Sequence, residues 1–96
     1  MAIEKLSAEA VQQALTTLPG WTLQGGKLHR ECTFPDFVAA FGFLTQVAIA
    51  SEKMDHHAEI FNVYNRVHLD LTTHDAGGLS ARDIDLAQKI NTFLGA

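Results

Sequence analysis

Histidine trades protons near neutral pH, its unperturbed pKa being roughly 6.5. Four of the five histidines in this chain, His56, His57, His68 and His74, fall within nineteen residues. Two are adjacent, and Glu52, Asp55 and Asp75 stand close to them in the chain. Imidazoles flanked by carboxylates can form a structural hydrogen-bonded cluster. They can also hold a metal such as zinc with one open position, or act as general acid and base without metal. The helical metal-binding spacing His-x-x-x-His is absent. Local spacing leaves all three readings open.

The elements around these residues must bring them together. Ser7 reads as the N-cap of a first helix, with Glu9 in its first turn, Val11, Leu15 and Leu18 as its apolar stripe, and Pro19-Gly20 as its stop. Two short extended runs, Trp21 to Leu23 and Leu28 to Phe34, flank Gly25-Gly26 and predict a β-hairpin. Pro35 suits the first turn of a second helix. On that helix Phe37, Phe41, Leu44 and Ala48 share one face, while Val38, Phe43, Val47 and Ile49 crowd the others. A helix apolar on most sides needs cover on more than one side, here a sheet and a second subunit. Glu59 to Tyr64 and Val67 to Thr73 predict a second hairpin around Asn65-Arg66, with Val67, Leu69 and Leu71 alternating with His68, Asp70 and Thr72. Ser80 with Asp83 three residues on is a variant capping box opening a last helix, whose stripe is Ile84, Ala87, Ile90 and Leu94.

The expected fold is therefore α+β: a single domain over residues 1–96, ordered helix-hairpin-helix-hairpin-helix, with a four-stranded antiparallel sheet covered by helices. In an antiparallel hairpin the end of the second strand lies beside the start of the first, which brings His74 towards His56-His57. Adjacent residues in extended chain point opposite ways, so His56 and His57 can line one pocket only if the backbone turns there. His29 and His68 read as strand or surface residues.

Composition narrows the partners. With 47% hydrophobic residues and 19% charged, the chain can build a core. A net charge of −4 with seven dispersed basic residues argues against direct nucleic-acid binding. The lone Cys32 allows no intrachain disulfide, and no stretch is long and apolar enough to span a bilayer, so a cytoplasmic protein without membrane attachment is expected. A domain this small gains from homo-oligomerisation.

The combination Glu52-x-x-x-His56-His57, Asn62-Val63-Tyr64, Thr73-His74-Asp75-x-Gly77-Gly78-Leu79-Ser80, Asp83 and Leu86-Ala87 resembles the pterin-4a-carbinolamine dehydratase family. The likeness covers residues 52–87 by motif and the whole chain by length and element order; Ala58 stands where the family usually carries proline. The resemblance implies a hydro-lyase that converts 4a-hydroxytetrahydropterin to quinonoid dihydropterin and water, recycling the pterin of aromatic amino acid hydroxylases. It implies no metal and no organic cofactor. Its partners would be the small pterin substrate, further copies of the chain as dimer or tetramer, and a pterin-dependent hydroxylase. By the same resemblance His57 and His74 form the acid–base pair and His56 assists, while Glu52, Asp55, Asp75 and Asp83 orient imidazoles or bind the pterin. Tyr64 could stack on a flat ring. Two alternatives stay beside this one: a histidine-ligated metal site, and a binding module like the animal members that act as dimerisation cofactors of a homeodomain transcription factor.

Overall fold

Two-residue turns set up the sheet. The computed structural model describes residues 3–95, and in it β1 (Thr22–Gln24) and β2 (Lys27–Thr33) are joined by Gly25 and Gly26 at φ of 58° and 79°. This positive-φ pair is what a tight hairpin turn requires. The second hairpin comprises β3 (Glu59–Val63) and β4 (Arg66–Leu71). Its turn lies one residue earlier than expected: Val63 pairs with Arg66, and Tyr64, not Asn65, takes the positive φ of 51°. Asn65 is engaged elsewhere. Its Nδ2 donates to the Phe34 carbonyl at 2.9 Å and its own carbonyl accepts from the Phe34 N–H at 2.9 Å, tying the hairpin tip to the end of β2. The strand order is β1-β2-β4-β3, antiparallel throughout, with β2 and β4 in the middle.

Helices cover one face of this sheet. α1 (Ala8–Leu15) is capped by Ser7, whose hydroxyl accepts from the Ala10 N–H at 3.1 Å. α2 (Phe37–Met54) is capped by Asp36, whose carboxylate accepts from the Ala39 N–H at 2.8 Å, so Pro35 precedes the cap instead of occupying the first turn. α3 (Ala81–Phe93) carries the expected capping box. Leu28, Val67, Leu69 and Leu71 from the sheet meet Val11, Val47, Leu86 and Ile90 from the helices in one core. Beneath α3, the Trp21 Nε1–H donates to Asn91 Oδ1 at 2.8 Å, so the indole is buried with its polar tip paired.

The structure decides which face of α2 is buried, a question the sequence left open. Ala40, Phe43, Leu44, Val47 and Ala50 pack inward, whereas Phe37, Val38, Phe41 and Ile49 are exposed, Val38 to 79%. Both faces are apolar, so periodicity had nothing with which to choose between them. Among the described residues no helix is long and apolar enough to cross a membrane.

Among the described residues the opposite face of the sheet is uncovered, and it is polar over its two central strands. There His29 faces Asp70 and Glu31 faces His68 across the central β2–β4 pair. His29 lies 2.8 Å from Asp70 Oδ1 through Nδ1 and 2.8 Å from Glu31 Oε2 through Nε2. These bonds, that to Glu31 first and that to Asp70 next, hold the His29 imidazole above its ordinary value of 6.5 against the opposing effect of desolvation. Glu31 is held below its ordinary 4.5, chiefly by the His29 bond and then by the nearby His68.

The sign of the pH dependence follows from linkage. The His29 contribution is complete below 6.5 and fades as pH climbs through the raised folded value; that of Glu31 is complete above 4.5 and fades as pH falls through the lowered one. Urea unfolding of wild type and His29→Gln should therefore differ most between about pH 4.5 and 6.5. The gap should close on the alkaline side. A gap that widens above neutrality would contradict this assignment.

Candidate active site

The C-terminus of α2 solves the problem posed by the adjacent histidines. Asp55 ends the helix in the left-handed region at φ 51° and ψ 44°, and the His56 N–H reaches back to the Ser51 carbonyl at 3.0 Å. This is a Schellman-type closure with aspartate where glycine is usual, aspartate being one of the few side chains that tolerate that conformation. The chain reverses within one residue. His56 turns inward and is buried, while His57 faces out with 55% of its side chain exposed. The turn is thus made by the helix cap, and Ala58 follows it without the rigidity of proline.

Beneath His56 lies a carboxylate with no solvent exposure. Asp83 Oδ1 is 2.6 Å from His56 Nε2, and its Oδ2 accepts from the Thr73 hydroxyl at 2.7 Å and from the Ser80 N–H at 2.9 Å. An ionised carboxylate only accepts, so His56 Nε2 carries the proton and Nδ1 is its unprotonated ring nitrogen while the ring is neutral. Thr73 is in turn 2.7 Å from the Ser80 hydroxyl. One side chain therefore links the residue after α2, the end of β4 and the cap of α3. Burying it without these partners would cost several kcal/mol.

His74 opens a short 3₁₀ turn, His74–Ala76, two residues beyond the end of β4, closed by Gly77 at φ 74°. The bridge between Thr73 and Gly78 pins this excursion at its base. His56, His57 and His74 line one open cleft of about 260 Å³, together with Asp55, Asp75 and Arg82. Among the residues expected from sequence, these three imidazoles and two carboxylates come together.

The others are placed differently. Glu52 does not line the cleft; its carboxylate accepts a hydrogen bond from His57 Nε2 at the cleft's edge. Asp83 is buried, so it can orient His56 but cannot touch a bound molecule. Tyr64 sits in the turn at the far end of the β3–β4 hairpin, away from the cleft, and could not stack on a ring there. Two contributors carried no assigned role in the sequence, although Thr73 stands in the family motif. Thr73 is a buried hydroxyl that bonds both the Asp83 carboxylate and the Ser80 hydroxyl. Arg82 adds the cleft's guanidinium; its signal was its place two residues after the Ser80 cap, in the first turn beside the His74 loop.

The arrangement can donate a proton, accept one and hold a polar ring edge. The comparisons with known proteins point the same way. Residues 4–93 match the family model described as pterin 4 alpha carbinolamine dehydratase. A Solibacter usitatus protein bearing that dehydratase name is 55% identical over 89 residues, covering 93% of this chain and 94% of its own. A Rhizorhabdus wittichii protein of the same name is 53% identical, covering 97% and 98%. The crystal structure of a transcriptional coactivator/pterin dehydratase from Brucella melitensis superposes with a TM-score of 0.90 at 41% identity, covering 94% of this chain and 98% of that one. The chain belongs to the pterin-4a-carbinolamine dehydratase family, whose members are hydro-lyases.

Proposed function

We propose that the cleft dehydrates a 4a-hydroxytetrahydropterin to the quinonoid dihydropterin by histidine acid–base catalysis without metal. The observation that carries this reading is the convergence of three imidazoles on one cleft. In the reaction an imidazolium gives a proton to the 4a-hydroxyl as the C4a–O bond breaks and water departs. A neutral imidazole removes the proton from the neighbouring ring nitrogen, and its electron pair forms the new C=N bond. His57 and His74, both exposed in the cleft, divide these roles. Glu52 steadies the His57 ring and its charge; His56, fixed by Asp83, orients the substrate or relays a proton through Nδ1. Asp55, Asp75 and Arg82 offer acceptors and a donor for the polar edges of the pterin.

In this reading the product returns to a pterin-dependent aromatic amino acid hydroxylase, and the enzyme works in the cytoplasm, where the single half-buried Cys32 stays reduced. It acts as a homo-oligomer, dimer or tetramer. Two features favour assembly: the exposed apolar face of α2 at Phe37, Val38, Phe41 and Ile49, and β3 as an edge strand carrying exposed Ile60, Phe61 and Val63. Edge strands and apolar patches of this kind are normally covered.

Stopped-flow disappearance of the 4a-hydroxypterin tests the chemistry. His57→Ala and His74→Ala should each slow dehydration by about 10²–10⁴-fold with unchanged circular dichroism. EDTA should leave the wild-type rate as it was. Full activity in both single variants rejects the acid–base pair. Asp83→Ala should behave differently, losing about 3–5 kcal/mol of stability because its donors are left buried without an acceptor.

Sedimentation at micromolar concentration tests assembly. The expected result is a dimer or tetramer that Phe41→Asp pushes towards monomer. A wild-type monomer would refute it.

A further inference from the structure

The cluster on the uncovered face of the sheet has a composition that the cleft's chemistry does not use. β2 places His29 and Glu31 two residues apart, hence on the same face, and the register sets Asp70 and His68 beside them on β4. Four polar side chains thus occupy a two-by-two patch over the two central strands. None of them lines the histidine cleft.

We propose that this patch is a binding site for a divalent transition metal, zinc foremost, ligated by His29 Nε2, His68 Nε2 and the Glu31 carboxylate. One ligand atom from each of these three residues lies within 4.8 Å of the others. Tetrahedral zinc with bonds near 2.1 Å needs its ligands about 3.4 Å apart. Glu31 Oε2 stands 2.8 Å from His29 Nε2 and Glu31 Oε1 stands 3.8 Å from His68 Nε2, on either side of that spacing, so small side-chain rotations complete the set. Two imidazoles and one carboxylate form a recurrent zinc and first-row metal ligand set that leaves a position for water. Magnesium and calcium, which prefer all-oxygen shells, do not fit it.

Two further contacts look like supports for such a site. Asp70 Oδ1 lies 2.8 Å from His29 Nδ1, so the carboxylate accepts the Nδ1 proton and aims Nε2 at the site. This carboxylate–histidine pairing is the usual outer shell of a metal-bound imidazole. His68 is held edge-on to His29, ring centroids 5.8 Å apart, and packs on Phe61 at 5.2 Å. Both rings are therefore oriented before any ion arrives. The bound ion would staple β2 to β4 and, by binding only the folded chain, would raise its stability.

The experiment titrates zinc chloride alone into the chelator-stripped full chain. Calorimetry should show one equivalent bound per chain, with a rise in melting temperature. In imidazole ¹⁵N spectra the resonances of His29 and His68 should shift, and those of His56, His57 and His74 should stay. His68→Ala and Glu31→Ala should weaken binding by more than about tenfold, and Asp70→Asn by about 10–100-fold. Absence of binding overturns the proposal, as do shifts confined to His57 and His74 or wild-type affinity in a folded His68→Ala. The wild-type spectra decide the matter even where a variant does not fold. Dehydration should be indifferent to added zinc, so this site and the reading of the cleft can fail separately.

Discussion

The geometry of the cleft depends on one buried carboxylate. Asp83 accepts from the N-cap backbone of its own helix, from Thr73 at the end of β4 and from His56 just beyond α2. A desolvated charge is stable only when its acceptor sites are used, so each of these three segments is held in the one arrangement that satisfies it. The capping box would be worth about 1 kcal/mol on an exposed helix. Here the same side chain also fixes the orientation of a cleft-lining imidazole. Helix capping and site construction are a single interaction.

The second constraint is backbone reversal at Asp55. A helix that continued would carry His56 and His57 round its circumference, and an extended chain would point them apart. The left-handed cap does neither. It sends one ring inward to Asp83 and leaves the other at the surface, both bordering the same cleft as His74. Glu52, on the last turn of the helix, is thereby within reach of the His57 ring it pairs with.

The sheet keeps its two faces chemically separate. Period-two alternation in β4 sends Val67, Leu69 and Leu71 into the core and His68 and Asp70 to the open side. The protonic residues of the cleft come instead from the strand ends and helix termini, where the regular pattern stops. Loops and termini can aim side chains that a pleat cannot, which is why the cleft sits at the junctions of elements.

Much of this was legible in the chain itself. Turn glycines, cap residues and alternation are local signals, so both hairpins, all three helices and the antiparallel α+β sheet followed from sequence. The antiparallel hairpin also sufficed to bring His74 to the His56-His57 end. What sequence could not decide were questions of competition between non-local partners. It could not say which apolar face of α2 is buried, since Phe41 and Val47 are both hydrophobic and only the position of the sheet separates them. It misplaced the second turn by one residue because the pull of Phe34 on Asn65 comes from thirty-one positions away. It saw Asp83 as a cap and an orienting group without naming His56 as its partner, and it held Thr73 in the motif without a role, because a buried hydrogen bond acquires its meaning only once two distant donors stand beside one acceptor. The pairing of His29 and Glu31 with Asp70 and His68 has the same origin: residue types are written along the strand, but their neighbours are set by register.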